Sequence, residues 1–446
     1  MTSENIVKSV YRALNSLTLF QNLQHDAAVK YFNKIINAAM VEQLDPWHLL
    51  GDYHRLMSLL LEQSAHKLLP PTGNLWQNHL LNLILLDDNL FARQAAAGQQ
   101  VSAVLKAAYQ HDLDMLQVLC QHGVQSLDCI FRGMDPYFKM GDLTEITVTA
   151  DNHGIGREVL DLKRFLLGST NWCEQVPQMI SFYRRTGVGQ FILYWAFRYE
   201  ETGTGWQLTG IADPDPIQLH QLIGYQSQRQ QVVDNTERLL QGFTAHNLLL
   251  YGDRGTGKSS TIKALIHRYG PDGLRLVQLP RKNLGSLQKL TQALSQLPLK
   301  FIIFIDDLSF EEKETEYKEF KTQLEGSLQQ QPANVRIYVT SNQRNLIKEY
   351  FSDRNSGDGE VHMGDTAQEK LSLADRFGLK ITFLAPDKEA YLQIVRELAR
   401  QEAIDVDPET LEKLALQWTL WHNERSGRTA RQFIDHIKGR TDLNIF

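Results

Sequence analysis

Through residues 1–185 apolar positions recur three and four apart, as in NIVKSVYRALNSL (5–17), HRLMSLLLEQSAHKLL (54–69) and VSAVLKAAYQHDLDMLQVL (101–119). That spacing predicts amphipathic helices, with breaks at Pro70-Pro71, Gly98 and Gly123. No strict repeat emerges, although helical pairs of this kind are compatible with a solenoid-like stack. The aromatics here, Tyr31, Trp47, Trp76 and Tyr137, read as core. The texture changes near Gln190. FILYWAFRYEETGTGWQLTGIA (191–212) holds two apolar runs around the turn-rich Glu201–Gly205, which predicts a β-hairpin. Asp213-Pro214-Asp215-Pro216 then disfavours helix and reads as a linker.

From Gln218 onward short apolar runs alternate with helical patterns, the signature of a parallel sheet covered by helices on both faces. Five strands are expected: Asn247–Tyr251, Leu274–Gln278, Phe301–Ile305, Val335–Thr340 and Leu379–Leu384. From Pro386 the pattern is helical to the end. There Asp407 stands ahead of Pro408, an N-cap before proline at the first helical position. The expected organisation is a mainly helical domain (1–185), a hairpin and linker (186–217), an α/β domain (218–385) and a C-terminal helical segment (386–446).

Two stretches of the α/β part carry chemistry. NLLLYGDRGTGKSSTIKAL contains G-x-x-x-x-G-K-[ST] between an apolar strand and a helix-favouring segment, the setting a phosphate-binding loop requires. The candidate loop residues are Gly252, Asp253, Arg254, Gly255, Thr256, Gly257, Lys258, Ser259 and Ser260. Glycines let backbone N–H groups curl around phosphates, and the helix N-terminus adds its positive end. Lys258 neutralises the β and γ oxygens, and Ser259 ligates Mg2+.

The second stretch, FIIFIDDLSFEEKE (301–314), is a strand buried on both faces that stops on two acids. Asp306 takes the place of the metal-holding acid. Asp307 faces the γ-phosphate as the base for the attacking water. Glu311 and Glu312 are nearby acids, but EEKETEYKEFK has the i,i+4 pairing of a solvated helix face, Glu314 with Lys318. Downstream, VRIYVTSNQRNLI puts Thr340, Ser341 and Asn342 at a strand end, EKLSLADRFGLKITF presents Arg376 before the last strand, and RSGRTARQFIDHI offers Arg428 and Arg431.

Taken together these residues resemble the AAA+ ATPases, over roughly residues 215–446. Gly252 to Ser259 resembles Walker A, Asp306 and Asp307 resemble Walker B, and Asn342 resembles sensor 1. Arg376 in its D-R-F setting resembles the arginine finger that reaches a neighbouring subunit's nucleotide. Arg428 in G-R-x-A resembles sensor 2, with Arg431 the second choice. LIGYQSQRQQVVDNTERLLQG, LLYGDRGTGKSS, IDDLSFEE, VTSNQRNLI and EKLSLADRFGL are similar to an uncharacterised bacterial family of predicted AAA+ ATPases, a domain of unknown function. The resemblance implies a P-loop NTPase sheet of five parallel strands, helices on both faces and a C-terminal lid. It also implies ATP and Mg2+ as cofactors and a ring-shaped homo-oligomer completed by Arg376 in trans.

Bulk properties narrow the client. With 446 residues, 42% apolar and 22% charged, the chain reads as a globular protein of two or three domains. Its formal charge of -6 gives no general pull on nucleic acid. Locally, however, residues 251–300 hold nine Lys and Arg against two acids. The N-terminus lacks a secretory pattern, no apolar run reaches bilayer length, and Cys120, Cys129 and Cys173 lack metal-ligand spacing. A cytoplasmic location is the expectation. Three functions remain: a ring ATPase that remodels an unknown protein client, an ATP-controlled nucleic-acid switch resembling initiators and helicase loaders, and a non-hydrolysing ATP-binding scaffold. The loop after the second strand, LPRKNLGSLQKL, carries Leu284-Gly285 and no aromatic, unlike the pore loops of threading AAA+ proteins. No helix-turn-helix or zinc-finger pattern supplies base readout.

Overall fold

A computed structural model describes residues 2–40, 46–65, 69–134, 155–203, 205–310, 316–325, 331–343, 373–422 and 424–438. The chain divides into two compact units, one of residues 1–193 with 297–299, the other of residues 194–296 with 300–446.

The first unit is helical: α1 (Ser3–Asn15), α2 (Ala27–Met40), α3 (Pro46–Ala65), α4 (Leu75–Leu86), α5 (Leu90–Ala96), α6 (Ala103–Met134), α7 (Ile155–Gly168), α8 (Val176–Thr186) and the single turn α9 (Gln190–Leu193). The long α6 touches α1, α2, α4, α5 and α8 around one continuous core, so these helices gather about an axis rather than stack as repeats. Gly98 ends a helix with φ +68°, as its sequence position predicts. Gly123 does not break anything: α6 runs through it, and the glycine makes room for the Trp76 indole, which a Cβ there would meet. That indole donates to Leu119 O at 2.9 Å and stacks on Phe32 with ring centroids 4.1 Å apart.

The second unit holds β1 (Ala196–Thr202), β2 (Gly205–Ile211), α10 (Gln226–Leu240), β3 (Leu248–Gly252), α11 (Lys258–Tyr269), β4 (Leu274–Gln278), α12 (Leu287–Ser295), β5 (Lys300–Ile305), α13 (Glu316–Glu325), β6 (Val335–Ser341), β7 (Leu379–Phe383), α14 (Lys388–Gln401), α15 (Pro408–His422) and α16 (Gly427–Ile437). All five expected parallel strands are present, each within a residue of its expected bounds. The sheet has seven strands, however, in the order β2-β1-β4-β5-β6-β3-β7. The hairpin joins it because β1 lies parallel to β4 over Ala196–Arg198 while pairing antiparallel with β2.

The central strands β5 and β6 are buried almost throughout, which their continuous apolar runs require. β6 lies between the strand that leads into the phosphate loop and the strand that ends on the acids. In such sheets ligands sit beyond the carboxyl ends of the strands, and the register brings those ends level: Tyr251 faces Ser341, and Ile305 faces Val339. The lid helices α14, α15 and α16 share a separate apolar core of Tyr391, Leu398, Trp418, Phe433 and their neighbours. Asp407 caps α15 as expected, accepting from Thr410 N at 3.0 Å. Among the described residues no helix is long and apolar enough to cross a membrane.

Candidate functional site

The phosphate loop follows β3, and three of its glycines have positive φ: Gly252 at +130°, Gly255 at +69° and Gly257 at +89°. Two of them are also places of close approach. A Cβ on Gly252 would run into the Phe383 carbonyl of β7, and one on Gly255 would meet the Ser426 hydroxyl of the lid. The loop is tied on both sides. Asp253 N–H donates to Phe383 O at 2.9 Å, and Asp253 Oδ2 accepts from Ala385 N at 2.5 Å. Across the loop, Gly255 O accepts from Arg428 N at 3.1 Å, at the N-terminus of α16, where Ser426 caps the helix.

Lys258 opens α11, is 6% exposed, and donates to the carbonyls of Gly252 and Asp253 at 2.9 and 2.6 Å. Burial pulls its ammonium below the usual lysine range, against the opposing pull of Asp253, Asp307 and Asp306. Ser259 Oγ donates to Asp306 Oδ1 at 2.5 Å, and Thr340 Oγ1 donates to the same oxygen at 2.6 Å. Asp307, at φ +50°, gives its N–H to Thr340 Oγ1 at 2.9 Å and receives Asn342 Nδ2 on Oδ1 at 2.5 Å. The hydroxyl of Ser259 against the carboxylate of Asp306 is an all-oxygen pair of the kind a hard Mg2+ takes. The residues present therefore fit that ion.

These groups line one cleft of about 690 Å³. It gathers Arg254, Gly255, Thr256, Gly257, Lys258, Ser259, Ser260, Asp306, Asp307, Asn342 and Arg428; Gly252 and Asp253 form its root rather than its lining. Among the described residues the Arg428 guanidinium has no acidic partner, whereas Arg431, also on the lining, pairs with Glu402 at 2.7 Å. Arg376 does not line this cleft: it sits exposed in the turn before β7. Glu311, Glu312 and Glu314 lie outside the described residues, as does the side chain of Lys318.

The far wall holds no residue expected at the site, although Leu222, Tyr225 and Arg229 fall within the LIGYQSQRQ stretch. It is built from Ile217, Leu222, Tyr225, Arg229, Ile394 and Leu398, contributed by the segment ahead of α10, by α10 and by the lid. Tyr225 adopts φ +51° after Gly224, itself at +75°, and its phenol donates to Leu384 O at 2.5 Å. Burial, then Asp253, push that phenol up to about 12. Arg229 donates to Gly224 O, and burial lowers its guanidinium from the usual range. The signals for these residues are glycine before a helix start and their place in the LIGYQSQRQ stretch; neither assigns Arg229 a role.

The basic excess of residues 251–300 is only partly a surface feature, with Arg254, Lys282 and Lys289 exposed. Arg275 is fully buried and donates to the carbonyls of Gly270 and Leu274, and Lys258 belongs to the cleft. Lys263 pairs with Asp215 at 3.5 Å, Arg268 with Glu237 at 3.1 Å, and Arg281 lies over the Phe310 ring.

A phosphate loop and an acidic strand separated by a strand that ends on a polar residue, with a helical lid returning an arginine to the loop, is the AAA+ form of the P-loop nucleotide-binding fold. Residues 193–441 match the model of the protein family of unknown function DUF815, more than half of the chain, and the chain belongs to that family. No curated protein matches it. Similar solved structures include AMPPCP-bound DnaA from Aquifex aeolicus, 16% identical over 51% of this chain and 67% of that one, with a TM-score of 0.33. The Holliday junction branch migration motor RuvB of Thermotoga maritima is 11% identical, over 50% and 72%, at 0.30. A DNA replication initiation factor is 17% identical, over 50% and 64%, at 0.31.

Proposed function

We propose that this protein binds ATP with Mg2+, hydrolyses it, and uses the cycle to remodel a macromolecular client. The observation that carries the reading is the convergence of Lys258, Ser259, Asp306, Asp307, Asn342 and Arg428 on one cleft, with both acids already held by hydroxyl and amide donors. Lys258 and the loop N–H groups bind the phosphates, and Ser259 with Asp306 holds the metal. Mg2+, when bound, offsets phosphate charge. Asp307 takes the proton of the attacking water, and Asn342 aims its carboxylate. Arg428 approaches the phosphates from the lid. Arg376, outside its own cleft, is assigned to a neighbouring copy in a homo-oligomer.

Remodelling is favoured over a nucleic-acid switch because four of the nine basic residues of 251–300 contribute little to a surface field, Lys258 and Arg275 through burial and Lys263 and Arg268 through pairing with acids. The test compares wild type with Asp307→Asn and Lys258→Ala for ATP binding and turnover. Asp307→Asn should keep ATP affinity within a few-fold and lower kcat by about 100-fold or more, whereas Lys258→Ala should lose binding. Equal turnover in wild type and Asp307→Asn would remove Asp307 as the base.

A further inference from the structure

We infer that Thr340 is a positioning residue that sets both acids of the site through a single hydroxyl. The inference rests on the ATP-hydrolysing reading above and extends it to a residue outside the loop and acid motifs.

Thr340 lies in β6 beside Leu250 of β3, 1% exposed. A threonine hydroxyl has one hydrogen to give and lone pairs to receive. Asp306 Oδ1, 2.6 Å away, can only accept when ionised, so it takes that hydrogen. The lone pair left over receives Asp307 N–H at 2.9 Å. The order of donation, Asp307 amide to Thr340 to Asp306, is forced by chemistry. The backbone of the same residue adds a third tie, Leu308 N–H to Thr340 O at 2.8 Å. Thr340 thus holds three consecutive residues at the end of β5.

That clamp explains the backbone of Asp307. A non-glycine residue at φ +50° is held in an unfavourable region, and here its amide is fixed by Thr340 while its carboxylate is fixed by Asn342. Ser259 touches only Asp306, and Asn342 only Asp307. Among the described residues Thr340 alone bonds to both, so it ties the acid that holds the metal to the acid that faces the water. Valine would keep the shape and the β-branching that suit a buried strand but would deprive the Asp307 amide and the Asp306 carboxylate of their shared hydroxyl partner.

The test uses the full chain with Thr340→Val, Thr340→Ala and Thr340→Ser. It measures steady-state ATPase, melting temperature, and the affinity for a fluorescent ATP analogue with and without Mg2+. Both hydroxyl-free variants should lower kcat by about 30- to 100-fold. They should also shrink the gain in affinity that Mg2+ brings by several-fold, and leave Mg2+-free affinity unchanged. Thr340→Ser should restore both readouts to within about threefold. Thr340→Ala keeps the comparison decisive if Thr340→Val fails to fold. The inference is overturned if the hydroxyl-free variants keep the Mg2+-dependent gain, or if serine is as impaired as valine. A wild type that binds Mg2+ with ATP but does not hydrolyse it would sink the hydrolytic reading alone; loss of the Mg2+ gain in Thr340→Val would still uphold the clamp. A wild type that binds no ATP sinks both.

Discussion

Burying an amine without a counter-ion decides its protonation, and Lys163 in the helical unit, with no acidic partner among the described residues, is such a case. It is 0% exposed, and its Nζ donates to Pro70 O at 2.8 Å and to Asn78 Oδ1 at 2.9 Å. Two acceptors match the two hydrogens of a neutral amine and leave a charged one short. Burial accordingly pulls its pKa down to about 7 from the usual 10.5. Above pH 7 the native state holds the neutral amine while the unfolded chain still binds the proton. Stability therefore rises with pH from about 7 to about 10.5, at a slope approaching 1.4 kcal/mol per pH unit. Urea titrations from pH 6.5 to 9.5 should show that slope in wild type, and it should vanish in Lys163→Met. An unchanged slope in the variant would place the titration elsewhere. Nothing in the local sequence foretells this: Lys163 looks like any polar position of a helix, and only the packing of α7 against the Pro70 segment and α4 makes it internal.

At the scale of elements, the phosphate loop is joined to two others. Gly252 abuts β7 and Gly255 abuts the cap of α16, so the loop's shape depends on both. Gly255→Ala combines an unfavourable φ of +69° with a clash against Ser426, and strain of about 1–3 kcal/mol is expected. Nucleotide affinity should fall at least about tenfold, measured by titration of a fluorescent analogue; retained affinity would mean that the lid yields freely. Ser426→Ala removes an N-cap from α16 and should cost about 1 kcal/mol, seen as a melting shift of a few degrees. The strands and the loop motif were legible in the sequence because continuous apolar runs and a glycine-rich turn are local signals. The pairing of β1 with β4 was not, since a hairpin's own pattern says nothing about which edge it joins. Gly123 misled for a related reason: glycine weakens a helix locally, but the Trp76 indole needs the space.

For the whole molecule the question is whether one chain completes a site. Arg376 lies outside the cleft of its own chain, at the turn before β7. If it serves a neighbouring copy, Arg376→Ala should lower ATPase by about 1,000-fold, the lower end for such arginines, without loss of ATP affinity. Mixing it with the impaired Asp307→Asn should then raise activity above that of either variant alone, because each supplies what the other lacks. No recovery on mixing would put Arg376 outside the reaction.

The P-loop class, the five parallel strands and the chain order of Lys258, Asp306, Asn342 and Arg428 are all readable from the residues alone. Each of these is written in short-range pattern: strand length, glycine spacing, a polar residue at a strand end. Only the packed chain brings Thr340 onto both acids, makes Tyr225 and Arg229 a wall of the cleft, buries Lys258 and Arg275, and pairs Lys263 and Arg268 with acids. Those outcomes depend on which strands lie side by side and which side chains then lose water, and contacts between residues tens of positions apart leave no local mark.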